Sequence, residues 1–303
     1  MLRLDDLNLF VRTAALGSFT AAALEADLLP QQASAAIKRL ERELGVRLFA
    51  RSTRSLRLTA EGEQYLPFAG DVLATLRAGR ERLRGESTEL QGLLQIAAPS
   101  DFGRNNLLPW LAEFRRLHPK LRLRLFLSDR VADVFRDPID IALRYGRMED
   151  ASFVALPLAP DNRRVLVASP DYVKRHGRPK SLDDLPAHGG LLYLLGGGRI
   201  YDKWSFSDQG RRRQVTMPGA MLCDDADVVR RWAIAGEGIA YKSWLDVHDD
   251  VAAGRLQLLL PKLRGEATPL NLVCPHREQF SPAVRQLHAL LQARCAAITA
   301  QLP

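Results

Sequence analysis

The sequence has 303 residues, too many for one ordinary hydrophobic core and enough for two or three domains. Its composition, 47% hydrophobic and 26% charged residues, excludes a disordered chain, and no apolar run approaches the roughly 18 residues that a membrane-spanning helix needs. The net charge of +8 suits a polyanionic partner, and the acidic N-terminus, with Asp5 and Asp6, is unlike a secretory signal, so we expect a cytoplasmic protein.

Two short helices, a tight turn and a third helix are predicted at the N-terminus. Apolar residues recur at helical spacing up to Gly17, which ends the first helix. Ser18 is a suitable cap for a second helix over 21–26, and Pro30 fits the first position of a third helix that ends at Gly45. This arrangement is that of a helix-turn-helix, in which the last helix enters the major groove of DNA.

The outward face of the third helix carries side chains suited to DNA. Glutamine amides can pair with adenine edges, the small side chain of Ala35 permits close approach, and bases near the end of the helix suit phosphates. Between Lys38 and Arg57 there are seven basic and two acidic residues, whereas residues 1–90 hold 13 basic and 12 acidic ones. The candidate DNA-binding residues of this helix are Gln31, Gln32, Ala35, Lys38, Arg39 and Arg42.

A β-hairpin with a basic tip is predicted directly after this helix. Apolar residues at both ends of segment 46–58 flank a polar, arginine-rich stretch, which indicates a wing whose tip contacts the phosphate backbone. A solvated basic hairpin on an unrelated domain would show the same charge, but the preceding helix-turn-helix pattern favours the wing. The candidate phosphate-binding residues of the wing are Arg51, Thr53 and Arg54.

Five sequence blocks follow one another in order and without gaps over residues 6–62. They are Asp6-Leu-Asn-Leu-Phe10, Gly17-Ser-Phe-Thr-Ala-Ala22, Ile37-x-x-Leu-Glu-x-x-Leu-Gly45, Val46-Arg-Leu-Phe-x-Arg51 and Leu58-Thr-x-x-Gly62. Together they resemble the N-terminal signature of the LysR-type transcriptional regulators. The resemblance implies a DNA-binding regulator with a winged helix-turn-helix, a long linker helix and a C-terminal effector domain of two lobes, like a periplasmic binding protein.

The third helix departs from the family pattern at two places. Where the family commonly has a Ser-Gln-Ser-like segment, this sequence has Leu29, Pro30 and Gln31. A frequent arginine in the middle of the helix is Ala35. The operator sequence therefore does not follow from the resemblance.

One long helix is predicted from Thr59 to Leu83. Its apolar positions alternate spacings of three and four residues, the pattern of a heptad seam that pairs two helices. The seam comprises Leu66, Ala69, Leu73, Leu76, Arg80 and Leu83. A helix packed against its own domain would show a similar stripe, but the mostly polar remaining face favours a partner helix. The resemblance likewise implies antiparallel pairing of two linker helices, and it implies tetramers.

Beyond the polar stretch 85–92, strand and helix patterns alternate as in open α/β sheets. The predicted strands are 93–98, 121–127, 139–145, 165–168, 239–241 and 270–274, and the predicted helices are 107–117, 131–136, 170–176, 225–235 and 281–300. The expected fold is therefore a multidomain combination of α+β and α/β parts. The predicted domains are a winged helix-turn-helix over 1–58, a linker and dimerisation helix over 59–88, a hinge over 89–92 and an effector domain over 93–303, with lobe one over 93–164 and 269–303 and lobe two over 165–268.

Residues that follow the predicted strands are candidates for the effector cleft, because ligands in such sheets bind beyond the carboxyl ends of strands. From lobe one these are Pro99, Ser100, Asp101, Phe102, Ser128, Asp129, Arg144, Tyr145 and Gly146. Tyr193, Cys223, Asp224 and Asp225 are assigned to the same cleft from lobe two. A helix beginning near Gly103 would direct its positive N-terminus toward Ser100, which favours a carboxylate or another electron-rich group. Nearby arginines also suit an anionic effector: Arg104, Arg130, Arg144, Arg147 and Arg199.

Motifs of catalytic chemistry are missing from the sequence. It contains no HExxH, GxSxG, Walker loop or full GxGxxG, and its six histidines show no ligand spacing. We therefore expect a regulator and not an enzyme, with no metal and no cofactor. The expected partners are double-stranded operator DNA, a small-molecule effector and further copies of the chain.

Two alternatives remain open. The first is a regulator that senses thiol oxidation through Cys223, although a packing role suits this cysteine better. The second belongs to another class, a small-molecule-binding α/β protein whose N-terminal helices merely dimerise it.

Overall fold

The computed structural model describes residues 2–51, 56–83, 90–129, 139–146, 153–195, 198–208, 210–274 and 281–303. Contacts divide the chain into two compact units: Met1–Glu89 with Ala132–Asp140 and Cys274–Pro282, and Leu90–Val131 with Ile141–Val273 and Ala283–Pro303. Across the described ranges, no helix is both long enough and apolar enough to cross a membrane.

The N-terminal unit contains the three predicted helices, the predicted hairpin and the long helix. They are α1 Leu4–Leu16, α2 Phe19–Glu25, α3 Pro30–Leu44, β1 Phe49–Arg51, β2 Leu56–Leu58 and α4 Ala60–Leu83. Gly17 ends α1 in a left-handed conformation with φ of 59°, and the Ser18 hydroxyl caps α2 by accepting the Ala21 N–H at 3.3 Å. The antiparallel register pairs Phe49 with Leu58 and Arg51 with Leu56. The winged helix-turn-helix prediction is confirmed, with the hairpin tip at 52–55 outside the described residues.

The long helix α4 packs its first turns against its own domain. Leu66 and Ala69 are buried in one core with Phe10, Ile37 and other apolar residues of α1, α3 and the hairpin, and Leu73 packs against that core. The buried positions Leu66 and Ala69 therefore face the core of their own domain and not a partner helix. Among its described side chains, the large apolar ones that α4 leaves exposed are Phe68, Val72 and Leu76. The side chains of Arg80 and Leu83, also assigned to the seam, lie outside the described part of the structure.

Gly62, in the first turn of α4, is the last residue of the fifth sequence block. A Cβ atom at this position would come within 2.2 Å of the Leu48 carbonyl oxygen. That oxygen belongs to the backbone before β1, so a side chain can be fitted only by displacing the helix or the hairpin. We expect Gly62→Ala to lower the free energy of unfolding by about 1–3 kcal/mol, measured by urea denaturation.

Gly70→Ala is the matched control on the same helix, because nothing lies within 4 Å of its Cβ position. Alanine is the better helix former, so this change should be neutral or stabilise by up to about 1 kcal/mol. Equal losses in the two variants would show that the close approach of Gly62 to Leu48 is not the cause.

The C-terminal unit is built on two large sheets and a small one. The first sheet consists of β3 Gly92–Ala98, β4 Leu121–Leu127, β5 Ile141–Tyr145, β6 Val154–Ala159 and β16 Leu270–Cys274. Its strand order is β4-β3-β5-β16-β6. The second has the order β12-β8-β13-β7-β14, with β9 beside β8, formed by β7 Arg164–Ala168, β8 Gly190–Leu194, β9 Ile200–Tyr201, β12 Gly219–Cys223, β13 Ile239–Ser243 and β14 Gln257–Leu259. A three-stranded sheet orders β10 Lys203–Asp208, β11 Arg211–Thr216 and β15 Arg264–Gly265 as β11-β10-β15. The α/β class with open sheets is confirmed.

Helices connect these strands, and most lie where they are predicted. They are α5 Ser100–Phe102, a π-helical turn Gly103–Leu107, α6 Leu108–Leu117, α7 Pro170–His176, a 3-10 helix Leu182–Ala187, α8 Ala226–Ala235, α9 Trp244–Ala252 and α10 Pro282–Thr299. The helix after β3 therefore begins at Ser100 and not near Gly103, where the prediction placed it, because Ser100–Phe102 already form a helical turn that leads into the π turn. The small sheet, α9, the 3-10 helix and the strands β6, β8, β9, β12 and β14 were not predicted, and the predicted helix 131–136 falls outside the described residues.

Candidate DNA-binding surface and effector site

The exposed face of α3 has the predicted DNA-binding character. Gln31, Ala35, Lys38 and Arg42 are exposed and lie four, three and four residues apart, which places them on one side of the helix. Arg47 lies with Lys38 and Arg42 around an open depression between the end of α3 and the hairpin. A ridge of amide and cationic side chains on a helix of this length fits a major groove and its phosphates.

Gln32, unlike Gln31, uses its side chain to cap the start of α3. Its side-chain oxygen accepts the backbone N–H of Leu29 at 2.8 Å, which satisfies a donor at the start of α3. Bidentate recognition of adenine needs both the oxygen and the nitrogen of the amide. Because the Gln32 oxygen is used within the helix, Gln31 is the better candidate for base recognition.

Arg39 is held by a carboxylate of α1. Its Nε and Nη2 donate to the two Asp6 carboxylate oxygens at 3.0 and 2.7 Å, and Asp6 is buried. The hydrogen bond to Asp6 raises the pKa of the Arg39 guanidinium above its ordinary value. The predicted phosphate contact of Arg39 competes with this bidentate pair, whose evident role is to hold α3 against α1.

Glu41 is a structural residue that the sequence analysis did not single out. One of its carboxylate oxygens accepts the backbone N–H groups of Leu48 and Phe49 at 2.9 and 3.2 Å. Glu41 therefore fixes where the hairpin leaves α3. Of the predicted wing residues, Thr53 and Arg54 lie outside the described residues, as does the side chain of Arg51.

In the C-terminal unit, polar groups after β3 meet the start of α8. The Ser100 backbone N–H donates to Asp129 Oδ1 at 2.9 Å, and the Ser100 hydroxyl donates to Asp129 Oδ2. The Ala226 N–H donates to the same Oδ2 at 2.8 Å and lies 3.1 Å from Ser100 Oγ. Ser100 is only 2% exposed. The ligand position predicted beside Ser100 is thus filled by a carboxylate of the protein itself.

Asp225 lies next to this group and caps α8. Its carboxylate accepts the N–H groups of Asp227 and Val228 at 2.9 and 3.3 Å, and Arg104 donates to both of its oxygens at 3.0 and 2.9 Å. Burial would raise the pKa of Asp225, but the hydrogen bonds from Arg104, Ser100 and the backbone lower it below its ordinary value. Asp225 therefore stays ionised, with the Arg104 charge beside it.

A buried ionic cluster lies below Ser100. Lys242 Nζ is 2.5 Å from Asp101 Oδ2 and 3.8 Å from Asp246 Oδ2, and all three residues are buried. Tyr145 donates to the second Asp246 oxygen at 2.6 Å, and Arg230 Nη1 lies 3.9 Å from Asp101. Burial raises the pKa of Asp101 to about 7, although Lys242 acts in the opposite direction.

The cluster changes the assignment of three predicted ligand contacts. Asp101 and Tyr145 are engaged in these internal bonds, and Phe102 is fully buried with its ring edge-to-face against Trp110 and Tyr145. We therefore assign Asp101, Phe102 and Tyr145 to the framework under the site. Lys242 was not among the predicted site residues. It directly follows the predicted strand 239–241, and a lysine at the end of a buried strand is a signal of a buried ionic site.

Other predicted contacts lie around Asp129 and Asp225. The Tyr193 hydroxyl donates to the Asp129 carbonyl at 3.4 Å, and Cys223 Sγ accepts the Asp225 N–H at 3.4 Å. Asp224 is exposed beside them. Cys274 and Cys295 are buried, and burial raises the pKa of each thiol to about 12, which leaves Cys223 as the most accessible cysteine.

The remaining predicted residues are held by backbone interactions near the strand ends. The Ser128 N–H donates to the Ala98 carbonyl at 3.1 Å, and Pro99 is the residue before the first helical turn. Gly146 has a φ of 98°, and its carbonyl accepts the Asn271 side chain at 2.9 Å. Arg144 is partly buried, and burial lowers its pKa. Arg130 and Arg147 lie outside the described residues.

Comparison with known proteins agrees with both units. Residues 4–63 match the description "Bacterial regulatory helix-turn-helix protein, lysR family", and residues 87–296 match "LysR substrate binding domain". The chain belongs to the LysR family. A LysR-type regulator carries a helix-turn-helix for DNA and an effector-binding domain, so the alternative of an α/β protein whose N-terminal helices only dimerise it is excluded.

Several LysR-type relatives match over nearly their whole length. The HTH-type transcriptional regulator DmlR of Escherichia coli K12 is 31% identical over 259 residues, which cover 86% of this chain and 84% of the relative. The solved structure of CrgA, a LysR-type transcriptional regulator from Neisseria meningitidis, is 30% identical with a TM-score of 0.61, covering 95% of this chain and 98% of that one. A full-length OxyR variant from Pseudomonas aeruginosa shares the fold, with a TM-score of 0.69 at 19% identity over 97% and 95% of the two chains.

Proposed function

We propose that this LysR-type regulator acts in the cytoplasm, where dimers, and tetramers made from them, bind operator DNA. The proposed DNA contact rests on one exposed face of α3, which presents Gln31, Lys38 and Arg42 to solvent. Gln31 contacts a base edge, and the cations contact phosphates on either side of the groove. The hairpin adds phosphate contacts through Arg51, Thr53 and Arg54.

Two copies pair through the exposed apolar side of α4. Phe68, Val72 and Leu76 are 67%, 45% and 38% exposed, and they recur at spacings of four residues. Such a stripe of large apolar side chains on a long helix is suited to packing against another helix. This assignment replaces the seam based on Leu66, Ala69 and Leu73.

The effector site lies at the carboxyl ends of the sheet strands, around Ser100, Tyr193 and Cys223. We assign the effector to the anionic or electron-rich small molecules, because backbone N–H groups and a hydroxyl converge there. The domain limits of 1–58, 59–88, 89–92 and 93–303, and the two lobes, belong to the same proposal. Sensing through oxidation of Cys223 stays a prediction.

Removing Lys38 and Arg42 together should weaken binding to all DNA sequences and flatten its dependence on salt. Each lost phosphate contact lowers the slope of log K against log salt by about 0.9, so Lys38→Ala with Arg42→Ala should lower it by roughly 2. The measurement is a gel-shift or fluorescence-anisotropy titration over a series of salt concentrations, using DNA recovered with the protein from its host.

Arg39→Ala is the matched comparison on the same helix. Because its guanidinium is bound to Asp6, we expect a lower melting temperature and an almost unchanged salt slope. If the double variant keeps the full slope, α3 does not contact phosphates as proposed. If Arg39→Ala lowers the slope by about 1, the Asp6 pair does not keep Arg39 from DNA.

A further inference from the structure

The carboxylate of Asp129 is bound as a ligand would be bound. It accepts three hydrogen bonds, from the Ser100 N–H, the Ser100 hydroxyl and the Ala226 N–H. The donors come from two separate chain segments, one after β3 in the first large sheet and one at the start of the ten-residue helix α8 beside the second. Asp129 itself follows β4, outside any strand. Its side chain can therefore leave the donors without breaking a sheet hydrogen bond.

The donors match a carboxylate in geometry. The two N–H groups and the hydroxyl address both oxygens, with Oδ1 bound by Ser100 and Oδ2 shared between Ser100 and Ala226. The Ser100 side chain is almost fully buried, whereas Asp129 is partly exposed, so the position is reached from solvent through Asp129. The neighbouring Asp225 is bound by Arg104 and by its own helix, and its Oδ1 also lies 3.0 Å from the Ser100 hydroxyl.

We propose that Asp129 is an internal ligand of the effector site: its carboxylate occupies the place of a carboxylate effector, which binds by displacing it. The inference rests on the proposed effector function and adds the regulation of that site. The bonds between Asp129, Ser100 and Ala226 connect the parts of the domain that carry the two large sheets. An effector carboxylate that replaces Asp129 takes over its bonds to Ser100 and Ala226 and frees the Asp129 side chain, and that exchange is the signal.

Emptying the site by Asp129→Ala gives a direct test with simple probes. The variant lacks the carboxylate but retains the Ser100 and Ala226 donors, so sodium acetate or formate should bind in its place. We expect acetate to raise the melting temperature of the full-length variant in a saturable way and to bind at least tenfold more tightly than to the wild type. Acetamide, which is similar in size but neutral, and sodium chloride at equal ionic strength should have no such effect.

Three variants make the test specific. Asp129→Asn fills the same space with a neutral amide and should not gain acetate binding, which separates an emptied site from the mere loss of a charge. Ser100→Ala in the Asp129→Ala background should weaken acetate binding again, because the hydroxyl donor is lost. Asp161→Ala removes an exposed aspartate elsewhere in the same unit and should behave as the wild type.

The outcomes separate this proposal from the DNA-binding function. Absence of saturable acetate binding to Asp129→Ala, or equal stabilisation of Asp161→Ala, overturns the internal-ligand proposal. Equal acetate binding by Asp129→Asn and Asp129→Ala also contradicts it, because the amide should block the site. Operator binding by the wild type is measured independently, so its failure would count against the proposed function and leave the acetate result standing.

Discussion

Replacing Lys242 with methionine is expected to lower the free energy of unfolding by about 3–5 kcal/mol, the usual cost of removing one partner from a buried ion pair. Lys242 Nζ lies 2.5 Å from Asp101 and 3.8 Å from Asp246, and it donates to the Ala226 carbonyl at 2.8 Å. Without the ammonium group, two buried carboxylates lose the cation between them, and Arg230 stays 3.9 Å from Asp101. Methionine fills a similar volume, so the loss reports the charge rather than a cavity.

The size of this loss should depend on pH. In the native protein burial raises the pKa of Asp101 to about 7, whereas an unfolded aspartate titrates near ~3.9. The native state thus holds this proton more tightly than the unfolded state does. The resulting stability is fully present below a pH of about 3.9 and is lost as the pH rises through about 7. Because Lys242 lowers the Asp101 pKa, its removal raises that pKa further. Lys242→Met should therefore be less damaging at pH 5 than at pH 8 in urea denaturation.

Two comparisons identify the cause. Lys262→Met removes an exposed lysine and should leave stability nearly unchanged at both pH values. Asp101→Asn added to Lys242→Met should restore part of the lost stability, most clearly at pH 8. A Lys242→Met loss that is independent of pH would mean that packing, and not the two carboxylates, accounts for the effect.

Replacing Phe68 and Val72 with aspartate is expected to split the assembly into monomers. Both side chains are exposed in the single chain, so the N-terminal core does not need them, and four new charges would be buried in a dimer interface. Sedimentation velocity at micromolar concentration measures the change. DNA binding should weaken as well, because a monomer engages only one half-site.

Leu73→Ala is the matched variant on the inner side of α4. Leu73 packs against the core with Leu66 and Ala69, so this change should lower thermal stability and leave the stoichiometry intact. If Leu73→Ala dissociates the assembly while the Phe68 and Val72 variant remains associated, the seam predicted from sequence is the interface after all.

The contrast between these two stripes shows where sequence patterns stop being decisive. Spacings of three and four residues identify an amphipathic helix, and α4 runs as predicted to Leu83. The same spacing serves a partner helix or the helix's own domain, and only the packing of α1 and α3 shows that Leu66 and Ala69 face inward. Phe68 and Val72 were overlooked because they lie one position outside the stripe that was counted.

Local sequence patterns predicted many of the helices and strands, but they do not predict contacts between residues that are far apart in the sequence. The strand Leu121–Leu127 and the helix Pro170–His176 have the predicted limits, because alternation and a proline start are properties of the segment itself. Strand β11 was missed because its arginine-rich sequence has little apolar alternation and its partner decides its conformation. The contact of Asp129 with Ser100, 29 residues away, depends on the order of strands in the sheet.

The π-helical turn Gly103–Leu107 separates two faces of what is otherwise one helix from Ser100 to Leu117. A π turn accommodates one more residue than an α turn, so the residues before and after it follow different angular phases. Arg104 and Asn105 in the turn reach the carboxylates of Asp225 and Asp227, at 2.9 and 2.8 Å, while the later turns bury Leu111 and Phe114. The extra residue in this turn thus lets Arg104 and Asn105 face the start of α8, while Leu111 and Phe114 on the same helix stay in the core.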